Sequence, residues 1–143
     1  MIAPRTDHPD TGSADGFGFL LNGGHEVGGE ARRALVAGDG KLPAAARADV
    51  LLLLTELVTN AVRHSGVGPE QSLRVVVWQW PRRVRVEVVD PGTRFTKLRP
   101  GPREDESGGW GLFLVDRIAD SWGVARAAAG TCVWFEIDIE LER

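Results

Sequence analysis

PAAARADVLLLLTELVTNAVRH, residues 43–64, is the stretch that decides the fold. Alanine and leucine dominate it, Pro43 suits a first helical turn, and Gly66 follows its end. At about 100° per residue, Val50, Leu54, Leu57, Val58 and Ala61 share one side. Glu56, Asn60, Arg63 and Asp49 fall in a narrow polar arc, with His64 at its edge and Leu52 and Leu53 flanking it. A helix apolar over more than half its girth is mostly buried, so the rest of the chain must supply layers to bury it.

Those layers are legible on either side. FGFLLNG (17–23) is a short apolar run bounded by glycines, a strand. HEVGGEARRALVA (25–37) has a weak helical pattern with Val27, Ala31, Ala34 and Leu35 on one side, weakened by Gly28 and Gly29. Beyond the long helix, LRVVVWQW (73–80) and RVRVEVVD (83–90) are β-branched runs joined by Pro81 and Arg82, an antiparallel hairpin. In the second, Val84, Val86 and Val88 alternate with Arg83, Arg85 and Glu87. Residues 91–109 form a Pro/Gly/charge-rich loop, of a length that is usually functional or mobile. GLFLVDRIADSW (111–122) is a second amphipathic helix, and VARAAAG with TCVWFEIDIEL closes the chain as a hairpin turning near Gly130. The expected fold is therefore α+β: a two-layer sandwich whose mixed, mostly antiparallel sheet carries about three helices on one face. Residues 1–16, rich in Pro, Asp, Gly, Ser and Thr, are expected to be a flexible tail, and 17–143 a single domain.

Composition narrows the function classes. The 143 residues are 43% hydrophobic and 26% charged, with a formal net charge of −3, which excludes a collagen, a coiled coil and global disorder and disfavours a dedicated nucleic-acid binder. One cysteine, Cys132, excludes an internal disulfide and a cysteine-cluster zinc site. The N-terminus lacks a signal peptide's apolar run, and VLLLLTELV is too short to span a bilayer and carries Glu56. A soluble, cytoplasmic protein is expected.

Four small polar or glycine-bearing segments can carry chemistry, and each has a plain structural alternative. Glu56 and Asn60, one turn apart, are either a solvated stripe or a carboxylate and an amide oxygen placed to hold a magnesium ion and a reacting hydroxyl. Asn60 is a poor helix former, which favours the second reading. Asp90-Pro91-Gly92 is either a turn or a carboxylate that accepts a hydrogen bond from an exocyclic amine such as adenine's. Ser107-Gly108-Gly109-Trp110-Gly111-Leu112 is either a hinge or a glycine loop that lets backbone N–H groups at a helix start meet phosphate. Gly130-Thr131 is either a hairpin turn or part of the same pocket. Neither the P-loop signature nor a Rossmann Gly-x-Gly-x-x-Gly is present.

The ordered set Glu-x-x-x-Asn on a helix, Asp-x-Gly after a strand, Gly-x-Gly before a helix and Gly-Thr in the closing hairpin resembles the GHKL (Bergerat-fold) ATPases over about residues 17–140. Within them, TELVTNAVRHS is similar to the anti-sigma-factor serine kinases of the RsbW and SpoIIAB type. The resemblance implies ATP and Mg²⁺ as ligands. It makes Asn60 the metal ligand, Glu56 the general base, and Asp90 with Gly92 the adenine site. Gly108, Gly109, Gly111 and Leu112 would wrap the phosphates, Thr131 would support Asp90, and Arg63 and His64 would lie near the phosphates. Residues 93–107 would be an ATP lid, carrying Glu104, Asp105 and Glu106. The family's Asp-x-Gly-x-Gly continues here to Arg94, not glycine.

What the resemblance implies about activity is a protein serine/threonine kinase that phosphorylates an anti-anti-sigma partner of the STAS type and regulates a sigma factor. A homodimer is implied too, with no direct nucleic-acid or membrane contact. A catalytically weak ATP-binding module acting through nucleotide-dependent partner binding is the alternative. A sensor histidine kinase would need a helical segment with a phosphoacceptor histidine before the first strand, where only the short tail is expected.

Overall fold

The computed structural model describes residues 15–24, 26–38, 42, 44–64, 71–91, 110–127 and 130–139. Its elements are β1 (Asp15–Asn22), α1 (Val27–Gly38), α2 (Ala44–His64), β2 (Ser72–Trp80), β3 (Arg83–Asp90), α3 (Trp110–Ile118), β4 (Ser121–Ala127) and β5 (Gly130–Asp138). Five strands form one sheet in the order β1-β2-β3-β5-β4. The sequence reading allowed a mixed sheet, but all four pairings are antiparallel. The even number of elements between partners explains this. Two antiparallel helices separate β1 from β2, and α3 with β4 separates β3 from β5, so each strand returns reversed.

The three helices cover one face of the sheet. Val50, Leu53, Leu54, Leu57 and Val58 of α2 are 0–3% exposed and pack with Val75, Val77, Val84, Val86, Val88 and Phe135. The weak helix of the sequence does form, because Val27, Ala31 and Leu35 are all buried. Gly28 helps it to do so. A Cβ there would stand 3.2 Å from Thr55 Cγ2 and 3.3 Å from Thr59 Oγ1, so the bare backbone lets α1 lie close along that flank of α2.

Two boundaries differ from the sequence reading. β1 begins at Asp15, paired with Gln79, two residues before the expected strand start. The helix expected over 111–122 ends at Ile118, because Ser121 and Trp122 pair with Glu136 and Phe135 in the sheet. The backbone N–H of Asp120 donates to the Glu136 carbonyl at 2.9 Å, and Trp122 Nε1 donates to Asp116 Oδ1 at 2.9 Å. Strand pairing thus replaces the last helical turn. The expected tail lies largely, and residues 128–129 next to the turn expected near Gly130 wholly, outside the described residues.

On the helix-free face, alternation alone would not announce buried charge. Yet Arg85, Glu87 and Glu136 are only 1–4% exposed. Arg85 Nε donates to Glu87 Oε2 at 3.0 Å, and its Nη1 lies 3.7 Å from Glu136 Oε2. The guanidinium stacks on Trp134, 4.1 Å from the ring centroid, and Trp78 Nε1 reaches Glu87 Oε1 at 3.4 Å. One cation therefore serves two buried carboxylates. Removing it leaves both uncompensated, which is far costlier than the pair is worth intact. Arg85→Met is expected to lower unfolding free energy by about 3–5 kcal/mol in urea titration; a loss under about 1 kcal/mol would mean that water reaches these carboxylates.

Candidate functional site

Asp90 is the last residue of β3 and Thr131 the second of β5, and they are direct cross-strand partners. Asp90 shares the parity of Val84, Val86 and Val88, so its carboxyl lies on the helix-side face. Both residues are buried, Asp90 at 3% and Thr131 at 8% exposure. The strand ends meet closely at Gly130. A Cβ there would overlap the Asp90 carbonyl oxygen and come within 3.0 Å of Pro91 Cα, and the Gly130 φ is +149°. Only glycine lets β5 start against the end of β3. The sequence offered a hairpin turn at Gly130-Thr131, and the resemblance gave only Thr131 a part in the pocket; the close approach at Gly130 had no signal beyond the Gly-Thr dipeptide.

The second group rides on α2. With α1 against the Thr55/Thr59 flank, Glu56 and Asn60 fall on the other flank at about 100° per residue. Asn60 is 9% exposed, and its side chain forms no hydrogen bond within the described residues. Glu56 is half-buried and Arg63 exposed; His64 closes the helix, its side chain outside the described residues. A nearly buried amide without a partner among the described residues, one turn from a carboxylate, is unusual for a solvated stripe, since buried polar groups are ordinarily satisfied.

The third group is the start of α3. Gly111 and Leu112 lie in its first turn, directly after Trp110, where free backbone N–H groups and the positive helix end favour an anion. Gly92, Gly108, Gly109, Arg94 and the expected lid over 93–107 lie outside the described residues. The three groups sit on elements that touch one another, because α2 packs on β3, on β5 and on α3.

A sequence profile described as the histidine kinase-like ATPase domain matches residues 27–137. The chain belongs to this family. The match spans α1 to β5 and therefore contains every described residue of the three groups. Among solved structures, the histidine kinase domain of a blue-light activated histidine kinase from Erythrobacter litoralis EL346 is similar, with a TM-score of 0.53 and 22% identity. The alignment covers 79% of this chain and 59% of that one, and shares the fold. No curated protein matches the chain. As a member of the histidine kinase-like ATPases, the chain carries the GHKL fold expected from its motifs. No helix among the described residues is long and apolar enough to cross a membrane.

Cys132 stands in the same part of the sheet, opposite Val89, but on the helix-free face. It is fully buried, and burial first, then the Glu87 carboxylate, push its thiol up from 9.0 to about 12; Arg85 acts in the opposite direction and Asp90 adds to the rise. The thiol is core filling, not a nucleophile. Between those two pH values the unfolded chain holds fewer protons than the folded one, so this group makes stability fall as pH rises through that window. Iodoacetamide near pH 8 is expected to leave the native chain unlabelled and to label it fully in denaturant; rapid native labelling would contradict the burial.

Proposed function

We propose that the chain is an ATP-binding protein serine/threonine kinase of the anti-sigma-factor type, acting on a serine of an anti-anti-sigma partner and regulating a sigma factor. The observation that carries the reading is the nearly buried Asn60 amide, without a hydrogen-bond partner among the described residues, one turn from Glu56 on the α2 flank that α1 leaves uncovered. The likeness of TELVTNAVRHS to the serine kinases supplies the substrate class.

The residues present suit Mg-ATP. Among the described residues no cluster of three or more His, Cys, Asp and Glu side chains forms a metal centre. A magnesium ion held by few side chains takes its other ligands from phosphate oxygens and water, and the neutral Asn60 oxygen is such a single ligand. When bound, the ion neutralises phosphate charge during transfer. Asp90, cross-strand partner of Thr131, is the acceptor for the adenine amine. The first turn of α3 offers N–H donors to the phosphates. Glu56 takes the proton from the attacking serine hydroxyl as its oxygen bonds to the γ-phosphorus and the bond to the departing ADP oxygen breaks. Little covalent chemistry is asked of the protein, so this small set suffices.

Arg94, where the family pattern has glycine, favours a second reading. A side chain at the lid entrance suits a module that binds nucleotide and regulates a partner with little transfer.

Calorimetry of Mg-ATP and Mg-ADP separates these outcomes. Saturable, Mg²⁺-dependent binding that weakens at least about tenfold in Asn60→Ala, a loss near 1.4 kcal/mol, is expected. Glu56→Ala is expected to keep binding and lose phosphoryl transfer to the serine partner. Partner regulation unchanged in Glu56→Ala would favour the regulatory module, and no binding up to about millimolar ATP would overturn the nucleotide site itself.

A further inference from the structure

α2 has a direction relative to the candidate pocket. Its last residue, His64, leads towards Ser72, where β2 starts. That start lies at the sheet end of Asp90, because Arg74 pairs with Val89. Followed away from that end, the open flank of α2 carries Arg63, Asn60 and Glu56, and then two residues with no role so far. Leu52 stands one turn before Glu56 and Asp49 two turns before it, both within about 40° of Glu56 around the helix. Along the axis they lie about 6 Å and about 10 Å from Glu56.

Leu52 is 40% exposed, one of three large apolar side chains open to solvent among the described residues. Ala45 and Ala48, on the turns before it, are exposed as well. Their small side chains leave the leucine standing clear of its own helix. Asp49 is half-buried and forms no ion pair or hydrogen bond among the described residues. Glu56, also half-buried, has none there either. Arg47, the cation nearest to Asp49 in the chain, lies across the helix and donates to the Leu42 carbonyl at 3.0 Å. The open flank therefore holds an exposed leucine between two carboxyl groups that have no counter-charge among the described residues.

We propose that this stripe selects the phosphoacceptor: a serine-bearing segment of the partner protein with an apolar residue for Leu52 and a basic residue for Asp49. The inference rests on the reading of Glu56 as the group that takes the serine proton. In phosphoryl transfer the attacking and departing oxygens lie roughly in line through phosphorus. The departing ADP is on the side of Asn60 and the α3 start, so the serine arrives from the opposite side, over Glu56 and Leu52. α1 lies against the Thr55/Thr59 flank and the valine and leucine side of α2 lies on the sheet, which leaves this line along the helix for the segment. An extended segment advances about 3.3 Å per residue. With the serine at Glu56, the second residue from it reaches Leu52, and a long side chain on the third or fourth reaches Asp49. The two acidic groups favour a cation there and oppose an acidic segment. Leu52 and Asp49 touch neither nucleotide nor the transferred group, so they set the choice of acceptor and leave nucleotide affinity alone.

Transfer from Mg-ATP to a positional-scanning library of serine peptides tests this. The full chain is expected to favour leucine over glycine at the second residue from the serine, and lysine or arginine over glutamate at the third or fourth, each by about fivefold. Asp49→Asn is expected to erase the charge preference and Asp49→Lys to reverse it, both keeping the leucine preference. Leu52→Ala is expected to do the converse, raising the peptide KM with kcat little changed. All three variants are expected to keep the Mg-ADP affinity of the parent chain in calorimetry. Selectivity unchanged in Asp49→Lys, transfer without either preference, or no transfer to any peptide by a chain that binds Mg-ATP would each overturn the proposal. Transfer without preference leaves the kinase reading standing, whereas failure to bind Mg-ATP removes that reading and this one with it.

Discussion

The rotation of α2 about its own axis is the constraint on which the site depends. Val50, Leu54, Leu57, Val58 and Ala61 fix one side of the helix on the sheet. The close approach at Gly28 fixes the Thr55/Thr59 flank against α1. What remains is one flank, and Glu56 and Asn60 stand on it. A one-residue change in phase would rotate the helix by about 100° and bury the carboxylate among valines. The core thus aims the polar pair without any polar contact doing so.

The sheet separates two kinds of work between its faces. Its helix side ends, at Asp90 and Thr131, in a buried polar corner whose backbone approach only Gly130 permits. Its helix-free side holds the Arg85, Glu87 and Glu136 cluster beneath Trp78 and Trp134. The two are joined through neighbouring positions of β3 and β5: Cys132 sits next to Thr131 in chain and feels both Glu87 and Asp90.

Much of this was legible in the chain before any coordinates. The long helix, the 73–80 and 83–90 hairpin and the closing hairpin announce themselves through period and β-branching, and the ordered motifs identified the family. Helix 111–122 was overextended because Ser121 and Trp122 suit a helical stripe locally, whereas their fate is set by Glu136 and Phe135, remote in sequence. The burial of Arg85 and Glu87 was invisible for the same reason: their cover comes from Trp78 and Trp134 on other strands. Gly130 looked like any turn glycine, since the Asp90 carbonyl it must clear is forty residues away in the chain. Local pattern names elements and faces; it does not name cross-strand neighbours.

The central claim is that Asp90 with Thr131, the Glu56/Asn60 flank and the start of α3 bound one nucleotide pocket. Amide NMR mapping during titration with Mg-ADP tests it most directly. The account predicts the largest shifts at Asn60 and its neighbours in α2, at Asp90 and Thr131, and at Gly111 and Leu112, with β1 and the face around Arg85 little changed. Saturable shifts confined to that outer face, or none at the Asp90–Thr131 corner, would contradict it.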